Sequence, residues 1–78
     1  MAFSRTGLIA QLEFEGFSNV DAAHGADNIG ADWYAEAARM AQSYLDLMPF
    51  SRTGLIDQLI FEGFTQSQAA HGVNAAGL

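Results

Sequence analysis

No lysine and no cysteine occur in the 78 residues, proline appears once, and three arginines face nine aspartates and glutamates. Each scarcity removes a class of function. Without cysteine there is no disulfide, no thiolate nucleophile and no cysteine-ligated zinc. At a net charge of −6, the Lys/Arg clusters that neutralise nucleic-acid phosphates are missing. An anionic membrane surface would repel such a chain. No run of about 18 apolar residues exists, so no segment is expected to span a bilayer or insert into one. β-Branched residues are few and nothing alternates with period two, which argues against strands. The chain opens Met-Ala-Phe-Ser-Arg, with no basic stretch leading into an apolar one. It is therefore expected to carry neither a signal peptide nor a lipidation cysteine of its own.

What is present is a folding composition, 50% hydrophobic, as opposed to a disordered one. A chain of this size is one small domain that buries roughly 60% of its unfolded surface. That leaves little room for a deep catalytic cleft. An acidic exterior suits a basic or amphipathic partner, drawn in by long-range attraction.

Self-similarity organises the chain. Phe3 to Gly25 reads FSRTGLIAQLEFEGFSNVDAAHG, and Phe50 to Gly72 reads FSRTGLIDQLIFEGFTQSQAAHG. The offset is 47 residues and 17 of 23 positions are identical. Each copy reads as two short helices. Ser4 and Ser51 are N-caps, with Phe3/Leu8 and Phe50/Leu55 placed as hydrophobic staples. Leu8, Ile9 and Leu12 recur at helical spacing, as do Leu55, Ile56 and Leu59. Gly16 and Gly63 stand where a left-handed residue stops a helix. Ser18-x-x-Asp21 and Thr65-x-x-Gln68 resemble capping boxes, with Asp21 shorter than the usual Glu. Gly7, Gly25 and Gly30 read as helix stops or close crossings, since neither GxGxxG nor GxxxxGK[ST] is present.

Between the copies lies one longer helix. Asp32 is its expected N-cap, and Pro49 forces its end near Leu47 or Met48. Its apolar stripe is Trp33, Ala37, Met40, Ala41, Tyr44 and Met48. The expected architecture is all-α. A single domain, 1–78, contains a helix-turn-helix-like hairpin at 3–29, a connecting helix at 32–48 and a second hairpin at 50–76. The aromatics Phe3, Phe14, Phe17, Phe50, Phe61, Phe64, Trp33 and Tyr44 are expected to supply most of the core. The second copy has a helix before it and the first does not. Either the long helix serves both copies, or the first exposes apolar surface and recruits another chain, which makes a homodimer an expected tendency.

The string FSRTGLIxQLxFEGF, followed by AAHG, GADW and a second FSRTGLIDQL, resembles the Ltp family of host cell surface-exposed lipoproteins of Gram-positive bacteria and their temperate phages. The resemblance implies tandem helix-turn-helix-like repeats joined by a long helix. It implies a cell-surface location through a lipid-anchored parent. It further implies superinfection exclusion, in which DNA injection by a later phage is blocked through binding of its tape measure protein.

The residues that could carry chemistry point elsewhere than to catalysis. His24 and His71, one per copy, fall short of a metal ligand set. Glu13 and Glu15 form a carboxylate pair, but Ile60 replaces Glu13 in the second copy. No Ser-His-Asp grouping is suggested, so no enzyme, cofactor or metal is expected. A DNA-reading helix would offer only Asn19, Asp21 and Asp27, or Gln66, Gln68 and Asn74, with no cation among them. Arg5 and Arg52 follow the N-caps, and Glu15 and Glu62 are their candidate ion-pair partners. The partner-binding candidates are the acidic Glu13, Asp27, Asp32, Glu36, Asp46 and Asp57, with Tyr34 off the main stripe of the long helix. The reading is an acidic protein-binding module. The alternative is a structural or oligomerisation module of a larger cell-envelope protein.

Overall fold

The computed structural model describes residues 3–29 and 32–78. Gly30, one of the glycines read as a helix stop, lies outside them. Five helices follow one another: α1 Arg5–Phe14, α2 Asn19–Asn28, α3 Trp33–Leu47, α4 Arg52–Phe61 and α5 Gln66–Ala75. There is no strand among the described residues, so the all-α reading holds.

Local signals set the helix ends. Ser4 accepts from the Gly7 amide at 2.8 Å and Ser51 from the Gly54 amide at 3.0 Å. Asp32 accepts from the amides of Tyr34 and Ala35. Thr65 and Gln68 complete a reciprocal capping box. Ser18 accepts from the Asp21 amide at 3.2 Å, and Asp21, one methylene shorter than Glu, returns no bond to the cap. Gly16 and Gly63 both adopt φ +106°, a region that L side chains avoid. α3 ends at Leu47, and Met48 before Pro49 is extended, as the residue preceding a proline tends to be.

Packing then separates the copies. α3 lies along α5 and also touches α4, while α1 packs on α2 and α4 on α5. The core consists of Ala37 and Ala41 of α3, Leu55 and Leu59 of α4, and Phe64, Ala69 and Val73. No residue of α1 or α2 belongs to it, and the molecule is elongated, 37 × 20 × 18 Å. The long helix thus braces the second copy and makes no comparable packing with the first. Identical residues consequently meet different surroundings. Phe64 is 3% exposed and its counterpart Phe17 53%. Leu55 and Leu59 are fully buried, whereas Leu8 and Leu12 are half-buried. In the first copy only Ser4, Ala22 and Ala26 are buried.

The two copies touch at a polar junction. The Ser4 hydroxyl donates to the Glu62 carbonyl at 2.7 Å. A Cβ on Gly63 would come within 2.6 Å of that hydroxyl.

Several core expectations are corrected. Phe14 and Phe61 are 87% and 84% exposed. Each lies two residues after a leucine that turns inward in its own hairpin (Leu12 half-buried, Leu59 buried), about 200° around a helix of 3.6 residues per turn, so it points outward. Phe17 is exposed because α3 does not reach it. Phe3, Trp33, Tyr44 and Phe50 are half-buried. Met48 leaves the α3 stripe and is exposed, because its extended backbone ends the helical register.

Candidate functional site

The acidic candidates are spread over four helices. Glu13 is exposed in the last turn of α1, and Asp57 is exposed on α4. Neither makes a side-chain hydrogen bond or ion pair among the described residues. The others are engaged locally. Asp32 caps α3. Glu36 pairs with Arg39 one turn on. Asp46 accepts from the Gln42 side-chain amide at 3.0 Å. Tyr34 stands half-exposed at the start of α3, its ring edge-on to His71 of α5 at 5.3 Å between centroids. His71 and His24 are both exposed, on α5 and α2, and His71 makes that edge contact besides. Among the described residues no three His, Asp or Glu side chains converge as a metal would need.

The arginine partners differ from expectation. Arg5 clamps Asp27, with Nε to Oδ1 at 2.6 Å and a second guanidinium nitrogen to Oδ2 at 3.1 Å. Arg52 donates to the Asn74 side-chain oxygen at 2.7 Å. Both bonds run from the first turn of one helix of a copy to the last turns of the other, 22 residues on. Glu15 and Glu62 stand at the far end of α1 and α4, beyond the reach of an arginine in the first turn. Hydrogen bonding to Arg5 holds the Asp27 carboxyl below its ordinary range, and the same bond raises the Arg5 guanidinium. Because both side chains are exposed, the pair acts as an orienting clasp more than as a source of stability. Asp27 is thereby partly neutralised as a contact for a basic partner.

A polar cluster absent from the sequence reading joins α3 to α4. The Tyr44 hydroxyl donates to Glu62 Oε1. The Gln58 amide donates to that same carboxylate oxygen at 3.2 Å and to the Tyr44 oxygen at 3.2 Å. The hydrogen bond to Glu62, reinforced by burial, pushes the Tyr44 hydroxyl above its usual pKa. Tyr44 also packs edge-on against Phe50, 5.6 Å between centroids. The sequence signal for this cluster was the Gln–x3–Glu spacing in both copies. In the first copy the Gln11 amide likewise donates to Glu15, at 3.3 Å, with no tyrosine among the described residues to complete it.

Exposed apolar side chains are the other surface feature. Phe14, Val20, Ile29 and Phe17 in the first copy are all more than half exposed.

An all-helical module with an internally repeated sequence, one copy braced by a third helix and one left open, is the class that these observations define. The family model described as host cell surface-exposed lipoprotein, Ltp, matches residues 32–75, more than half of the chain. The chain belongs to that family. The matched span comprises α3, α4 and α5, which is the braced copy with its bracing helix. No curated protein and no solved structure matches the chain.

Proposed function

We propose that this chain is an acidic protein-binding module of the bacterial cell surface that acts in superinfection exclusion, engaging the tape measure protein of an incoming phage and stalling its DNA. Membership in the family of host cell surface-exposed lipoproteins carries this reading. The net charge of −6 supports a basic or amphipathic polypeptide as partner. The mechanism is occupancy: a segment required for DNA passage is held, and no bond is made or broken. Of the candidate carboxylates, Glu13 and Asp57 are exposed and make no side-chain bond among the described residues, which leaves them available for contact.

The test displays the full chain on a sensitive host through a lipoprotein signal and challenges it with phage. Adsorption is expected to persist while DNA entry and plating efficiency fall. Purified chain should bind tape measure protein more weakly as ionic strength rises, because the contact is between exposed charges. Unchanged plating efficiency at verified surface display would end the reading.

The exposed Phe17 face of the first copy favours one alternative, a structural or oligomerisation module of a larger envelope protein. In that case a homodimer forms through the open copy, and melting temperature rises with protein concentration.

A further inference from the structure

We propose that the outward row of α4, formed by Asp57, Ile60 and Phe61, holds a partner by an apolar anchor. The occupant is an amphipathic helix whose apolar residues cover Ile60 and Phe61 while a Lys or Arg one turn away meets Asp57. The inference rests on the protein-binding reading and adds to it a surface and an apolar part of the contact.

α4 is apolar on two sides. Leu55 and Leu59 face the core, yet Ile60 and Phe61, adjacent near the helix end, are 38% and 84% exposed. A helix covered on one side ordinarily turns a polar face to water. A single exposed apolar side chain is commonplace, whereas neighbouring ones rimmed by polar residues mark a contact surface. Asp57 lies three and four residues before them and so shares their side of the helix. It is exposed and makes no side-chain bond among the described residues.

The row stays bare with its repeat neighbours in place. Copy two has both a preceding copy and a bracing helix. α3 reaches α4 through Tyr44, on Gln58 and Glu62, and the first copy reaches it through Ser4, on the Glu62 carbonyl. Asp57, Ile60 and Phe61 remain exposed beside both. Copy one has a following copy, which meets α1 at Ser4 and stands close to Thr6. Ala10, Glu13 and Phe14, the same three places, remain exposed there too. Neither a preceding nor a following neighbour in the repeat covers this row.

The copies differ at the row itself, where Ala10 stands for Asp57 and Glu13 for Ile60. α4 therefore combines two apolar side chains with one carboxylate a turn away, and α1 sets a lone phenylalanine beside a charge. Charge then selects the occupant. An unpaired Asp57 on a chain of net charge −6 complements a helix with a basic flank and repels another copy of this chain.

The probe is a synthetic amphipathic helix of leucine and lysine, titrated into the full chain and followed by amide NMR. One control peptide carries glutamate for lysine and a second carries serine for leucine. Saturable shifts centred on Asp57, Ile60 and Phe61 are expected from the probe, with both controls weaker by about tenfold or more. Phe61→Ser alters an exposed side chain, so it should leave the melting temperature intact and weaken the probe by about tenfold or more. Asp57→Lys should weaken it too, by opposing like charges. Absence of saturable binding at millimolar probe, shifts centred elsewhere, equal binding of either control, or equal affinity for the Phe61→Ser chain would each overturn the proposal. Self-association that Phe61→Ser abolishes would overturn it as well, by placing a second copy on the row. If the Phe61→Ser chain, displayed on the host, excludes phage as well as the parent does, the surface is wrong and the protein-binding reading stands. If the probe binds as expected while display of the parent confers no exclusion, the reverse holds.

Discussion

Two glycines at the same place in the repeat have opposite physical settings. Gly72→Ala drives a methyl group against Ala37, 2.6 Å from its carbonyl carbon, 2.8 Å from its carbonyl oxygen and 2.9 Å from its Cβ. Backbone cannot rotate aside as a side-chain tip can, so a loss of about 1–3 kcal/mol is expected in chemical denaturation. Gly25→Ala meets only ordinary contact and removes a helix-interior glycine, so a gain of about 0.5–1 kcal/mol is expected in the same measurement. Tyr44 supplies the pH dependence. Its pKa in the folded chain is raised above the ordinary value of 10.0, so folding favours the protonated hydroxyl. The stability this contributes is complete below about pH 10 and is lost as pH rises through the raised folded value. Tyr44→Phe should lower stability at neutral pH by about 0.5–1.5 kcal/mol, the scale of one hydrogen bond. Denaturation series at neutral and strongly alkaline pH should show the gap between variant and parent narrowing on the alkaline side.

At the scale of the helix, the serine caps separate local from tertiary contributions. Ser51 is exposed and caps α4 only. Ser4 is buried, caps α1 and also donates to the Glu62 carbonyl across the junction. Ser51→Ala should cost about 1 kcal/mol, the value of a cap. Ser4→Ala should cost about 1 kcal/mol more, because a second hydrogen bond is lost with it. Equal costs for the two, measured side by side by urea denaturation, would mean that the junction bond contributes nothing. The helix ends were legible because caps, glycine stops and Pro49 act within a few residues of themselves. The arginine partners were not. Asp27 and Asn74 reach Arg5 and Arg52 only once the two helices of a copy have folded back on each other, a geometry that spacing along one helix does not contain.

For the molecule as a whole, the uneven core makes its own prediction. Leu55→Ala empties a fully buried site shared by α3, α4 and α5 and should cost about 2–5 kcal/mol. Leu8→Ala, the same change in the open copy, removes a side chain already half in water and should cost clearly less, about 1–2 kcal/mol. Thermal and urea melts of the two variants compare them directly. The apolar period also made Leu55, Leu59, Ala37 and Ala41 recognisable as inward residues. It could have turned Phe14 and Phe61 outward, since each follows its leucine by two residues; counting aromatics without their angle around the helix placed them inside.

Residue order alone settled what depends on near neighbours: five helices, their ends, the repeat and the acidic balance. Which copy α3 would cover, and so which of two nearly identical hairpins is sealed, was decided by the tertiary fold. One helix has one apolar stripe, and once that stripe is spent on Gly72 and the α4 leucines, the matching surface around Gly25 has no third helix on it among the described residues.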